Sequence, residues 1–222
     1  MLKGGLTDQL YEILRERIVN LEMKLGEKVD TQEIANEFNT SQTPVRDVLN
    51  RLAHEGLVNV VPRIGYYIIE PSPEDLAEIY ELRKMFECYA LRLSVQSVDV
   101  NKLSCLKQKM KEIQKEKNLK KKISAYRKVD GELHLSIGKS ANNERFQDLF
   151  SQIYNLVRVS QSIGLNWDEG LKEHISLIDA MLEKNKDKAL KTLETHLENA
   201  KKRGMRALRM KLYSLKESLV HE

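Results

Sequence analysis

No helix can run through Pro71-Ser72-Pro73, because each proline denies its predecessor the helical region. The pattern of residues differs on the two sides of this break. Before it, helical and extended segments alternate. After it, helical periodicity continues almost to the C-terminus, with no glycine between Pro73 and Gly131 and no further proline. The expected fold is mainly α and falls into three stretches: residues 1–70, a linker at 71–73, and an all-helical domain over 74–222.

In the first stretch Leu10, Ile13, Leu14, Ile18 and Leu21 trace one helical face, with Thr7 as the expected N-cap and Asp8 complementing the first-turn dipole. An extended piece, Gly26 to Val29, leads to a second helix opened by Asp30 or Thr31 and ended by Asn39 or Thr40. A third helix starts between Ser41 and Thr43, since Pro44 is tolerated only in a first turn, and buries Val45, Val48, Leu49 and Leu52. Gly56 stops it. The period then changes from helical to extended, over Leu57 to Val61 and Tyr66 to Ile69 around a turn at Pro62 to Gly65. Three helices and a β-hairpin make a winged helix-turn-helix.

In such a unit the second helix of the pair enters the major groove by its N-terminal end, here Ser41-Gln42-Thr43-Pro44-Val45-Arg46. Arg46 can bond a guanine edge or a phosphate, and Gln42 can reach a base edge. Ser41 and Thr43 can hold phosphates beside free helix N–H groups. Arg51 is expected toward the DNA backbone, and Arg63 with Gly65 forms a hairpin tip small and basic enough for a minor groove. Bulk charge does not mark this end. The net charge of +4 divides into −3 over residues 1–70 and +7 over 71–222, so only the placement of individual basic residues can. The alternative is an ordinary winged helix that binds protein.

With 41% hydrophobic and 32% charged residues and no apolar run near the length of a membrane span, the expectation is a cytoplasmic protein. Cys88 and Cys105 have neither metal-knuckle nor redox spacing and read as small core-packing thiols. The stretch Lys115 to Lys122 and the run Lys201-Lys202-Arg203 read as solvated surface.

The second stretch reads as helices over roughly 74–97, 100–117, 121–139, 143–163, 168–184 and 186–217. Three histidines fall on inward stripes, an expensive place for an imidazole without a partner. His134 lies among Ile123, Tyr126, Leu133 and Ile137, with Asp130 four residues before it on the same face. His174 lies among Leu171, Ile175 and Ile178, and His196 among Leu193 and Leu197. Each alone is more simply a satisfied core residue. Together, one carboxylate and three imidazoles from helices of one bundle suit a zinc, nickel or manganese ion with positions left for water or a ligand carboxylate. His54 and His221 stand apart. Arg83 also points inward; it either pairs with Glu87 one turn on or grips the carboxylate of an effector.

Two signatures add to this reading. Ser41-Gln42-Thr43-Pro44-Val45-Arg46-Asp47-Val48-Leu49-Asn50-Arg51-Leu52, followed by Glu55-Gly56-Leu57-Val58, resembles that of GntR-family bacterial regulators. The resemblance implies a dimer on a palindromic double-stranded operator, contacted by Arg46, Gln42, Thr43 and Gly65. Family members often carry arginines near the start of helix two and at the position of Gln42. Here Gln32 or Glu33 and Gln42 stand there, which implies fewer phosphate contacts. Asp130-Gly131-Glu132-Leu133-His134, Glu173-His174-Ile175-Ser176-Leu177-Ile178 and Thr195-His196-Leu197 resemble the FCD effector domain of the FadR subgroup. In metal-binding members those four positions are the ligands, and Asn142 or Asn143 fits a following asparagine that implies an effector contact. Leu133 stands where many members have phenylalanine. The expected function is a homodimeric regulator switched by a small organic acid at the metal. The alternatives are a metal sensor, or a metal-dependent enzyme fused to a DNA-binding module, for which Glu132 lies on the wrong helical face to serve as base.

Overall fold

The computed structural model describes residues 5–161 and 167–220, with side chains described as far as 210. It forms two compact units that divide between Ser72 and Pro73, the first also taking in one helix end from Asn155 onward.

The first unit contains α1 (Leu6–Val19), α2 (Thr31–Glu37) and α3 (Gln42–His54), then the antiparallel hairpin β1 (Val58–Val61) and β2 (Gly65–Ile68), in register Val58 with Ile68 and Val61 with Gly65. Helix α1 begins earlier than the sequence suggests. The Gly5 carbonyl accepts from the amides of Asp8 and Gln9, so Thr7 lies inside the first turn rather than at the cap. Asp30 is the cap of α2, its carboxylate accepting from the Gln32 and Glu33 amides at 2.8 and 3.0 Å. Asn39, at φ 50°, turns the chain between α2 and α3. The expected extended piece joins the hairpin as a third edge: Val29 N–H donates to the Tyr66 carbonyl, and Ile68 N–H to that of Glu27. Leu10, Leu14, Ile18, Val45, Leu49, Leu52 and Ile68 close the core without solvent contact.

The second unit is built from α4 (Pro73–Ser94), a 3-10 turn at Val95–Ser97, α5 (Val100–Lys115), α6 (Leu119–Lys139), α7 (Glu144–Gln161), α8 (Trp167–Leu182) and α9 (Lys186–Val220). The last residues of α7, from Asn155, belong to the first unit, where Val159 enters the core and Arg158 forks onto Glu16 at 3.0 and 2.9 Å. The predicted end of this helix at 162–163 lies outside the described residues. Within the second unit α9 lies along α4 and α8, while α5 packs on α6 and α8. Its core joins Leu91, Leu133, Leu171, Leu177, Ile178 and Leu193.

Close approach of helices depends on two glycines. A Cβ on Gly138 would stand 2.1 Å from a Phe150 ring carbon, and one on Gly170 would stand 2.4 Å from the Tyr126 hydroxyl. The cysteines separate. Cys88 packs against the core, and its thiol is pushed up to about 11 by burial and by Glu194 and Glu87 nearby. Cys105 is exposed, because Leu103 and Leu106 take the inward positions of α5. The basic runs are not uniformly solvated either: Lys122 pairs with Asp168 at 2.6 Å, Lys201 with Glu81 at 3.3 Å and Arg203 with Glu173 at 2.7 Å. Among the described residues no helix is long and apolar enough to cross a membrane.

Candidate metal centre and nucleic-acid interface

Helices α6, α8 and α9 each turn one histidine into the interior of the second unit, because each places it on a buried apolar stripe. His134 and His174 are wholly buried and His196 nearly so. One nitrogen from each gathers into a group whose members all lie within 4.8 Å of one another. The Nε2 atoms of His134 and His174 are 3.0 Å apart, and Asp130 Oδ1 stands 3.1 Å from His174 Nε2 and 3.8 Å from His134 Nε2. All four residues singled out from the sequence therefore meet.

Around this group stands a ring of hydrogen-bonding residues. His134 Nδ1 meets Glu87 Oε2 at 2.5 Å, His196 Nδ1 meets Glu173 Oε2 at 2.8 Å, and the Tyr154 hydroxyl donates to Asp130 Oδ2 at 2.7 Å. Glu173 is itself held by Asn199 and by both arms of Arg203. Metal-binding histidines are oriented in this way, one ring nitrogen given to a carboxylate so that the other is free for the ion.

The electrostatics suit a cation. Burial would raise the Asp130 carboxyl, but the neighbouring His134, His174 and Arg83 outweigh it and hold it well below the usual carboxylate range. Burial and the adjacent His174 lower His196 to about 3, against the pull of Glu173, so this imidazole is neutral at physiological pH. Among the described residues its Nε2 is buried with no hydrogen-bond partner. An orphaned acceptor of this kind costs about 1–3 kcal/mol, which a bound ion removes. The donor set of one carboxylate and three imidazoles fits a divalent transition metal.

Arg83, on α4, has no solvent exposure. Its Nε donates to Glu87 Oε1 at 2.6 Å, and its guanidinium lies 5.4 and 5.5 Å from the Tyr80 and Tyr154 ring centres. Among the described residues Nη1 and Nη2 have no hydrogen-bond partner. The pair with Glu87 therefore forms and still leaves the end of the fork open. Asn142 and Asn143 are not brought to this group. Both are exposed, and Asn143 caps α7 by accepting from the Phe146 amide at 3.1 Å. Glu132 is turned away, paired with Lys109 at 2.8 Å. His221 lies outside the described residues.

At the start of α3, Ser41, Thr43 and Arg46 are exposed and Gln42 is half-buried. Gln42 Oε1 accepts from Thr31 at 3.2 Å and from Arg46 Nη2 at 3.0 Å, and its amide donates to Gln32 at 2.5 Å, so Gln42 ties α2 to α3 and steadies Arg46. A groove of about 750 Å³ between this helix end and the hairpin is lined by Lys28, Thr31, Arg46, Arg63, Ile64 and Gly65. Arg63 holds φ at 66° in the hairpin turn, a conformation that favours glycine. Arg51, expected toward the DNA backbone, lies 3.6 Å over the Tyr11 ring and within 3.6 Å of Asp8, with about half its side chain (53%) still exposed.

Residues 6–68 match the gntR family of bacterial regulatory proteins, and residues 78–199 match the FCD domain. The chain belongs to the GntR family and carries an FCD domain. It is similar to the HTH-type transcriptional regulator YdhC of Bacillus subtilis, with 23% identity over 192 residues, 85% of this chain and 86% of that one. In fold it is similar to a GntR transcriptional regulator from Rhodococcus sp. RHA1, with a TM-score of 0.78, 20% identity, and 90% and 98% of the two chains covered. It is also similar to the Zn2+-bound FCD domain of TM0439, with a TM-score of 0.55, 18% identity, and 63% and 97% covered. Family and relatives make this GntR chain a DNA-binding transcription regulator rather than an enzyme.

The three residues that orient His134, His196 and Asp130 in this GntR regulator do not stand out as such in the sequence. Glu87 was visible only as a partner for Arg83. Glu173 adjoins His174 but faces α9, and Tyr154 continues the buried face of α7 after Phe150. A search for polar residues on buried stripes would have found Glu87 and Tyr154.

Proposed function

We propose that this GntR regulator binds a divalent metal, zinc, nickel or manganese, through Asp130, His134, His174 and His196, and that a small organic acid binding beside it resets affinity for a palindromic operator. The observation that carries this reading is the buried, unpartnered Nε2 of His196 facing two further imidazoles and a carboxylate held in its charged form. The zinc in the FCD domain of TM0439 supports it. A metal there supplies a Lewis acid with coordination positions open to a carboxylate. Arg83 supplies the second grip: two buried NH2 groups in a planar fork, the geometry that matches a carboxylate. Arg46, Gln42, Thr43, Ser41, Arg63 and Gly65 are the proposed operator contacts.

The protein is proposed to work in the cytoplasm as a homodimer. Leu82, Met85, Tyr89 and Leu93 recur at helical spacing on the exposed side of α4, an apolar face suited to a second copy. Sedimentation showing only monomer would remove this part of the reading.

Operator affinity, measured by fluorescence anisotropy with metal-loaded protein and a panel of small carboxylic acids, tests the switch. One acid is expected to change affinity roughly 5–150-fold, and only with metal present. A shift produced by metal with no acid would make the metal itself the signal.

A further inference from the structure

We propose that Glu87 is a positioning residue that sets the ring tautomer of His134, a role that rests on the metal reading above. Glu87 is wholly buried on α4. One of its oxygens accepts from Arg83 Nε at 2.6 Å, and the other faces His134 Nδ1 at 2.5 Å. The Nε of an arginine always carries its hydrogen, and a carboxylate offers only lone pairs. The hydrogen between Glu87 and His134 therefore belongs to Nδ1 of the imidazole. A neutral imidazole has a single N–H, so Nε2 keeps its lone pair. That lone pair is on the side where His174 Nε2 stands at 3.0 Å and Asp130 Oδ1 at 3.8 Å. The opposite tautomer would place a hydrogen on the nitrogen an ion must reach.

Arg83 makes Glu87 hard to replace by an amide. In Glu87→Gln, which keeps the shape of the side chain, the amide has one acceptor oxygen and one donor NH2. The Arg83 N–H claims the oxygen, because two donors facing each other in a buried site are repulsive. The NH2 then faces His134 Nδ1, which must accept, and the imidazole hydrogen moves to Nε2.

The experiment reads the tautomer directly. Metal-free full-length protein labelled with 15N-histidine is examined near pH 8 by long-range 1H–15N correlation, with His134→Gln identifying the resonances. Wild type is expected to carry the His134 hydrogen on Nδ1, and Glu87→Gln to carry it on Nε2. Zinc affinity, measured by chelator competition, is expected to fall roughly 10–100-fold in Glu87→Gln, the range for orienting partners of metal ligands. A wild-type His134 with hydrogen on Nε2 overturns the proposal, and so does a Glu87→Gln protein that keeps both the Nδ1 hydrogen and wild-type zinc affinity. The wild-type spectrum decides even where the variant fails to fold. If wild type shows the Nδ1 tautomer and binds no zinc, the metal reading fails while the role of Glu87 in setting the ring stands.

Discussion

Arg83→Ala is expected to lower the unfolding free energy of the FCD unit by about 3–5 kcal/mol, the range for removing one partner of a buried ion pair. The guanidinium has no solvent exposure and its Nε is bonded to Glu87. Its loss leaves the Glu87 carboxylate, which burial raises but His134 and Arg83 together lower to about 2, deep in the unit with one counter-group fewer. Trp167 is the single tryptophan of the chain and stands in this unit 5.0 Å from Tyr126, so its fluorescence during urea unfolding follows the FCD unit. The double replacement Arg83→Met with Glu87→Met removes both charges at similar volume and is expected to recover part of the loss, the rest remaining because His134 Nδ1 then lacks its buried partner. A loss below about 1 kcal/mol for Arg83→Ala would show that the pair is not the buried, unscreened contact described above.

Arg46→Ala is expected to weaken operator binding by about 1–3 kcal/mol, roughly 5–150-fold, with no change in helix content, because Arg46 is exposed and packs into no core. Anisotropy titration against specific and scrambled duplexes separates the two ways this residue can act. If it reads a base edge, discrimination between the duplexes shrinks. If it holds a phosphate, both affinities fall together and the salt slope drops by about one. Binding within twofold of wild type would exclude Arg46 from the interface.

The parts of this molecule legible in its sequence are those where a local rule and the tertiary structure agree. Pro44 permits only a helix start and Pro71-Ser72-Pro73 only a break, and α3 and α4 begin accordingly. Asp130 and His134 share a face by helical spacing alone, and a polar residue on an apolar stripe needs a partner, which is why the four candidate ligands could be named before any contact was seen. What the sequence does not carry is which residues from other helices complete them. Glu87, held by Arg83, reaches His134 from α4, 47 residues away, and Glu173 turns from α8 toward α9 to meet His196. Arg203 sat in a basic run that reads as surface, yet the charge of Glu173 draws it in. Thr7 is not the cap because the helix already begins at Leu6, with Gly5 two residues before Thr7 accepting from the Asp8 and Gln9 amides. Asn143 illustrates the same limit from the other side: an asparagine after the aspartate–histidine helix is also a good N-cap, and capping is what it does here.

The proposed switch depends on the three imidazoles and Asp130 holding a metal. Elemental analysis by inductively coupled plasma mass spectrometry, on wild type and His196→Ala purified side by side after zinc loading and dialysis, reads this directly. The expected result is about one metal per wild-type chain and less than about a tenth of that in the variant, with both proteins folded by circular dichroism. A folded His196→Ala protein that keeps the full wild-type metal content would contradict the site.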